Sequence, residues 1–168
     1  VCILRDGKVI QIGTPEEILT EPADGYVAEF VQDVDQGRVI EVEKVMSEPA
    51  VIDPSKTLTE CVDALGDRRG GFVCDADGRP SGLLAVTDAA SALAHGTTDL
   101  ASVLRSDFDT TSPKARLNDN YAAAGRGLPI AVCDETGRLV GELEPREIME
   151  EMGRVEQLVD GFEREVFL

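Results

Sequence analysis

An internal repeat constrains the fold of this chain more than any other feature of the sequence. The stretch VCDADGRPSGLLAVTD, residues 73–88, is followed 59 positions later by VCDETGRLVGELEPRE, residues 132–147, and the two align without a gap. The same offset also pairs upstream residues, such as Pro54 with Pro113. A solenoid needs at least about three such units to build a continuous core. Two copies therefore predict a pseudo-symmetric pair.

Each copy predicts the element order β-α-β-β-α. The predicted elements of the first copy are an extended piece at 50–53, a helix carrying Leu58, Val62 and Leu65, strands at 71–74 and 81–86, and a helix from near Thr87. Those of the second copy are an extended piece at 109–112, a helix carrying Leu117, Tyr121 and Ala124, strands at 130–133 and 139–143, and a helix from near Pro145. Neither copy has enough core to be stable alone, so we expect an α+β fold in which the two pack sheet against sheet.

The residues before the repeats predict a separate unit. Two β-branched runs flank Asp6 and Gly7, a strong hairpin signal, and Thr14 with Glu17 forms a capping box that opens a helix. An amphipathic helix is predicted at 23–34, before a polar linker. The predicted domains are 1–38 for this unit and its linker, 39–98 and 99–153 for the two repeats, and 154–168 for an amphipathic C-terminal helix.

Charge and cysteine usage exclude several classes of partner and cofactor. The chain has 16 Lys and Arg against 33 Asp and Glu, and its net charge of −17 disfavours nucleic acid and anionic lipid as direct partners. No apolar run reaches the roughly 18–20 residues that cross a bilayer, so we expect no direct membrane insertion and a cytoplasmic location. The cysteines lack C-x-x-C spacing, which predicts reduced core thiols and no metal site; they are Cys2, Cys61, Cys74 and Cys133.

The repeated stretch resembles the hallmark of tandem cystathionine-β-synthase-type (CBS) domains, V-V-D-x-x-G-x-x-x-G-h-h-T-x-x-D with h apolar. The first copy meets it at Val73, Cys74, Asp75, Gly78, Gly82, Leu83, Leu84 and Asp88, and the second at Val132, Cys133, Asp134, Gly137 and Gly141. The motif is moderately specific alone and strong when doubled at this spacing. The resemblance implies a CBS-domain pair.

The N-terminal stretch ILRDGKVIQIGTPEEILTEPADGYVAEFV, residues 3–31, is similar to the last hairpin and helix of ABC-transporter ATP-binding subunits. Such a tail followed by a CBS pair is the arrangement of the ATP-binding subunit of glycine betaine, carnitine, choline and proline importers. The resemblance implies a homodimer that meets the membrane permease subunit through the parent chain at the inner face of the membrane. Because the chain begins at Val1 without Met, we expect it to be a fragment, with ATP bound in the missing upstream domain.

No catalytic machinery is predicted within these residues. The sequence contains no G-x-x-x-x-G-K-[ST] string, so the ATPase chemistry is not expected here. The only histidine, His95, stands beside Gly96 at the predicted end of a helix, which is typical of a cap or a surface residue. No Ser-His-acid or paired-carboxylate arrangement is supported by spacing, and we expect neither catalytic nor metal-binding residues.

The resemblance implies a ligand site where the second strand of each copy meets its helix. In CBS pairs that bind adenine nucleotides, the T-x-x-D portion supplies a hydroxyl and a carboxylate, and the carboxylate can accept from both ribose hydroxyls. Asp88 holds the acid position here, but Ala85 holds the Thr position, with Thr87 displaced; in the second copy these positions are Glu144 and Glu147. The candidate ligand-binding residues are Asp88, Thr87, Ala85, Phe72, Val73, Glu147, Ala131 and Val132.

Three interpretations of such a pair stay open at this point. An adenine nucleotide or cyclic di-AMP binds in the cleft and gates transport, or ionic strength is the signal, acting on the strongly acidic surface. Alternatively, the pair is a ligand-free structural dimerisation module, which Ala85 and Glu144 in place of Thr favour. Asp88 and Thr87 also suit plain helix roles, as an N-terminal acid and an N-cap.

Overall fold

The fold is taken from a computed structural model, which describes residues 1–31 and 34–153. The N-terminal elements are β1 (Cys2–Arg5), β2 (Lys8–Ile12), α1 (Pro15–Thr20) and α2 (Gly25–Val31). The hairpin prediction is confirmed, since β1 and β2 pair antiparallel around a turn with positive φ at Asp6 and Gly7. The capping box is also present: the Thr14 hydroxyl accepts from the Glu17 amide, and the Glu17 carboxylate accepts from the Thr14 amide at 2.8 Å.

The first repeat follows the predicted order. Its elements are α3 (Leu58–Leu65), β3 (Gly70–Cys74), β4 (Pro80–Ala85) and α4 (Val86–Ala94). Strands β3 and β4 pair antiparallel, and Val51 forms a parallel bridge with Phe72 at the β3 edge. Helix α3 begins with a capping box between Thr57 and Glu60.

The second repeat has the same strands but a weaker first helix. Its elements are β5 (Thr110–Thr111), α5 (Tyr121–Ala124), β6 (Ile130–Cys133), β7 (Leu139–Leu143) and a final helix α6 at 145–153. The helix predicted to carry Leu117 is instead a 3₁₀ turn, Leu117–Asn120, before the single turn of α5. The residue preceding that turn, Arg116, makes no side-chain cap, and Asn120 donates to the Arg116 carbonyl at 2.9 Å, which competes with helical hydrogen bonding. The helix predicted at 154–168 lies outside the described residues.

Each hairpin is bridged by a residue from the N-terminal segment of the other repeat. Leu83 on β4 forms an antiparallel bridge with Arg105, which lies in the N-terminal segment of the second repeat. Glu142 on β7 forms the equivalent bridge with Ser47, which comes just before the first strands of the first repeat. This reciprocal exchange of strands makes the α+β pair pseudo-symmetric, as predicted, and ties the two repeats together.

The cores follow the same exchange. The core of the first repeat is built on Leu58, Leu65 and Leu84, whereas that of the second includes Ile40 and Val42 from the N-terminal segment of the first repeat. A third apolar cluster, formed by Phe72, Leu83 and Ala131, draws residues from both sheets, and Phe108 packs edge-on against Phe72 with the ring centroids 5.7 Å apart. The repeats therefore share buried surface.

The two hairpin turns also hold each other. The Arg79 Nε–H donates to the Thr136 carbonyl at 3.0 Å, and the Arg138 Nε–H donates to the Asp77 carbonyl at 2.7 Å. These two contacts are related by the repeat offset, so each turn supplies one arginine and one carbonyl. The turn contacts thus reproduce the pseudo-symmetry at the surface.

The cysteine prediction is confirmed in part. All four thiols are free; Cys61 is buried, and Cys74 and Cys133 are half-buried. The expectation of a core thiol is wrong for Cys2, which is exposed because it lies on the outer face of β1, opposite the buried Ile3. Across the described parts of the chain, no helix is long and apolar enough to cross a membrane.

Two strand glycines offer a matched test of the packing between the strands. A Cβ on Gly71 would stand 2.9 Å from the Ala50 carbonyl oxygen and 2.8 Å from Leu65 Cδ2, whereas a Cβ on Gly82 would meet nothing closer than 3.4 Å. We expect Gly71→Ala to lower the free energy of unfolding by about 1–3 kcal/mol through overpacking. Thermal unfolding should show a lower midpoint for Gly71→Ala and little change for Gly82→Ala. Equal effects of the two substitutions would contradict the bridge at Val51.

Candidate functional site

The first candidate position lies at the start of α4. Ala85 is the N-cap and has no capping side chain, so Thr87 is not the N-cap and instead stands exposed in the first turn. Asp88, in the same turn, is half-buried, and its carboxylate accepts from Arg105 at two points, Nη2 to Oδ1 at 3.0 Å and Nε to Oδ2. This bidentate ion pair holds the pKa of Asp88 below its usual value, with the Arg105 hydrogen bond as the main cause.

The exchange of strands positions this pair. Arg105 lies in the segment that bridges Leu83 on β4, so its side chain reaches the helix that directly follows β4. Both oxygens of Asp88 are therefore already engaged by a residue of the same chain. A ribose that used Asp88 as its acceptor would have to share the carboxylate with the Arg105 guanidinium.

The equivalent position of the second repeat is also filled from within the chain. Glu144 is 1% exposed, and its Oε1 accepts from the Arg69 amide at 3.1 Å. Its Oε2 lies 3.1 Å from Arg146 Nε, an ionic contact without hydrogen-bond alignment. Glu147 accepts from the Glu144 amide at 2.8 Å and so caps α6. Both carboxylates of the second position thus serve the fold directly.

The apolar candidate residues are core residues in this structure. Phe72 and Ala131 lie together in the central cluster, while Val73 packs in the core of the first repeat and Val132 in that of the second. The side chains of Phe72, Ala131 and Val132 are completely buried, as is that of Ala85. The structure therefore does not bring these side chains together with Asp88, Thr87 or Glu147 as an open lining.

Glu142, which the sequence analysis did not identify, lies on β7, two residues before Glu144. It is completely buried on β7, its Oε2 accepts from the Ala50 amide at 2.9 Å, and its Oε1 contacts the Arg68 guanidinium. Burial is the main cause that raises the pKa of Glu142 above its usual value. The repeat offset aligns Glu142 with Leu83. A glutamate at a position where the other repeat has a strand leucine was the signal that could have identified it.

Comparison with known proteins agrees with this architecture. Residues 42–95, most of the first repeat, match the CBS-domain family. A CBS-domain pair crystallised with 5′-methylthioadenosine and S-adenosyl-L-methionine superposes with a TM-score of 0.63 at 18% sequence identity, over 68% of this chain and 96% of that one. At such low identity the likeness shows the fold alone. The chain has the fold of a CBS-domain pair.

Two transport proteins resemble the chain in sequence. It is 31% identical over 149 residues to the glycine betaine/carnitine transport ATP-binding protein GbuA of Listeria monocytogenes, which is 84% of this chain and 36% of that protein. It is 33% identical over 146 residues to the glycine betaine transport ATP-binding protein OpuAA of Bacillus subtilis, again 84% of this chain and 34% of that protein. The chain is homologous to the C-terminal parts of glycine betaine ABC-transporter ATP-binding subunits, and it spans about a third of the length of these curated relatives.

The Asp88–Arg105 pair predicts a specific titration. In Arg105→Met, the Asp88 carboxyl loses its bidentate partner, so its pKa should rise toward the ordinary value of 3.8. Site-resolved carboxyl NMR titration measures this directly. Asp53 is the internal control, because its lowered pKa depends on hydrogen bonds from Ser55. Unchanged titration of Asp88 in the variant would rule out the ion pair in solution.

The same pair predicts a small, pH-dependent contribution to stability. Because the pKa of Asp88 is lowered in the folded state, its contribution is present above 3.8 and lost as the pH falls through the folded value. Both side chains are about one-third exposed, so solvent screening limits the effect of Arg105→Met at neutral pH to roughly 0–1 kcal/mol. Urea unfolding of the chain and the variant at neutral and acidic pH checks this, and a difference that grows as the pH falls would contradict it.

Proposed function

We propose that this chain is the regulatory CBS module of the ATP-binding subunit of a glycine betaine/proline-type osmoprotectant importer, and that it gates transport in response to ionic strength. The homology to glycine betaine transport ATP-binding proteins supports the assignment to such a subunit. In this setting the module is a homodimer in the cytoplasm, it reaches the membrane permease subunit through the parent chain, and ATP binds to the nucleotide-binding domain of that parent chain.

One observation carries the choice of signal: the positions that would hold a nucleotide are occupied by the chain's own charged groups. Asp88 is paired with Arg105, and Glu147 caps α6. Glu144 places a buried carboxylate where a phosphate would lie, and like charges repel strongly in such a setting. An adenine nucleotide or cyclic di-AMP in the cleft would have to share Asp88 with Arg105 and overcome the charge of Glu144.

The charge distribution supports ionic strength as the signal. A net charge of −17 on 168 residues creates self-repulsion that falls as salt rises, because the Debye length is ~8 Å at physiological ionic strength and shorter above it. Exposed ion pairs join the N-terminal segment of the first repeat to the second repeat: Lys114 lies 2.7 Å from Glu43, and Arg116 lies 3.4 Å from Glu41. Added salt therefore weakens the ion pairs that join the two repeats, and it also reduces the repulsion between two copies of the chain.

A ligand-free structural dimerisation module is the second candidate. Ala85 as an uncapped N-cap and Glu144 in place of a hydroxyl favour it, because both remove groups that a bound nucleotide would use. This candidate differs from the first only in its response to salt. The same experiment therefore decides between them.

The test is a thermal-unfolding and sedimentation titration of the chain with AMP, ADP, ATP and cyclic di-AMP, each at low and high salt. A ligand at a hundred times its dissociation constant would add about 2.7 kcal/mol, a shift of roughly 2–4 °C per kcal/mol. We expect salt to raise the unfolding midpoint or the dimer fraction and the nucleotides to leave both unchanged.

The other outcomes are equally informative. A saturable shift with one nucleotide, abolished in Asp88→Ala, would replace ionic strength with ligand sensing. A dimer insensitive to both salt and nucleotides would establish the structural module. Glucose at matched osmolality is the control for solute effects that do not depend on charge.

A further inference from the structure

The pseudo-symmetry is broken by one pair of opposite charges. Where the first repeat has Leu83, the second has Glu142; where the second repeat has Gly127, the first has Arg68. These two substituted positions contact each other in the structure, since the Arg68 guanidinium donates to Glu142 Oε1. The carboxylate of one repeat is thus matched by a cation of the other, at a place where the pseudo-symmetric counterparts are uncharged.

The surroundings of the two partners differ. Glu142 is completely buried, whereas the side chain of Arg68 is 32% exposed and also donates to the Glu48 carbonyl at 2.7 Å. The segment ahead of β3 presents to Glu142 the amide of Ala50, at 2.9 Å. Glu144, directly after the end of β7, is a further charged group that acts on it, and its own ionic contact is with Arg146. The facing residue on β6 is Ala131, which is apolar.

The groups around Glu142 have opposing effects on its ionisation. Burial and the neighbouring Glu144 favour the neutral form of Glu142, while Arg68 and the Ala50 amide favour the ionised form, and burial is the larger effect on its pKa. Protonation of Glu142 leaves the Ala50 hydrogen bond in place, since a protonated carboxyl still has an acceptor oxygen. Because the Arg68 side chain is partly exposed, its guanidinium can then be hydrated without a large change of fold. Salt reaches such a buried pair much less than it reaches exposed pairs.

We propose that the Glu142–Arg68 contact is a pH-sensitive latch between the two repeats: it is closed while Glu142 is ionised and opens when Glu142 takes up a proton from water. In the closed state Arg68 holds the loop between α3 and β3 against β7. In the open state Glu142 keeps the Ala50 amide, and Arg68 turns to solvent.

The loop that Arg68 holds also contacts α4. The Arg69 amide donates to Glu144, and the Arg69 carbonyl accepts from the Val86 amide at 3.0 Å. Val86 is the first residue of α4, the helix that carries Asp88. Opening of the latch therefore changes the support of the α4 N-terminus. This device is independent of the proposed salt response, because its central charge is buried.

Site-resolved NMR titration of the whole chain tests the latch. The Glu142 carboxyl signal, assigned by its loss in Glu142→Gln, should titrate with a midpoint above the ordinary value of 4.5. The Arg68 Nε–H signal and the amides of Ala50 and Val86 should shift with the same midpoint, and these shifts should be absent in Glu142→Gln. Glu135→Gln, at an exposed turn position, is the matched control and should leave them unchanged.

Thermal unfolding across pH provides the second measurement. Because the folded state raises the pKa of Glu142, its stabilising effect is complete below 4.5 and is lost as the pH rises through the folded value. Glu142→Gln should therefore match or exceed the midpoint of the unchanged chain at neutral pH and lose that advantage in acid. Arg68→Gln should lower the midpoint at neutral pH by leaving a buried carboxylate uncompensated, and adding Glu142→Gln should restore it.

The result that would overturn the latch is a Glu142 midpoint at or below 4.5, or Arg68 and Val86 signals that do not follow Glu142. Equal losses in Arg68→Gln and in the double variant would overturn it as well, since they would place the role of Arg68 elsewhere. If Arg68→Gln does not fold at neutral pH, the double variant and the titration of the unchanged chain still decide.

Discussion

The reciprocal exchange of strands is the constraint on which the rest of this structure depends. Arg105 bridges the hairpin of the first repeat and Ser47 that of the second, so each hairpin gains an edge contact from the other repeat. The exchange also positions the charged contacts. Arg105 reaches Asp88 from the exchanged segment, and the Ala50 amide that binds Glu142 lies three residues beyond Ser47. The fold and the candidate site therefore depend on the same contacts between the two repeats.

The topology within each repeat was predictable because it depends on local signals. The period of apolar residues and the turns ending in Gly78 and Gly137, both with positive φ, specify strands and hairpins in their immediate neighbourhood. The prediction of a full first helix in the second repeat was wrong, and the reason is also local. Arg116 stands where the first repeat has the capping Thr57. The exchange itself was out of reach, because single bridges between distant residues leave no periodic pattern.

The sequence predicted the positions of the candidate site residues but not the groups that they contact. The alignment of the repeats identified Asp88, Glu144 and Glu147 as the groups at the strand-to-helix junctions, but nothing near them in sequence indicates Arg105 or the backbone of Arg69 as their partners. Glu142 was missed because a glutamate in a strand normally indicates the solvent face. Its burial follows from tertiary contacts, which supply a cation and an amide to an otherwise costly position.

Under the two proposals, the exposed and the buried charges of this small chain respond to different signals. The exposed pairs of Lys114 and Arg116 with Glu41 and Glu43 lie within reach of counterions, so their strength depends on ionic strength. Glu142 has the opposite dependence, because its burial limits screening and raises its pKa. Both kinds of contact join a segment of one repeat to the other. Under these proposals, salt and protons therefore act on the junction between the repeats through separate contacts.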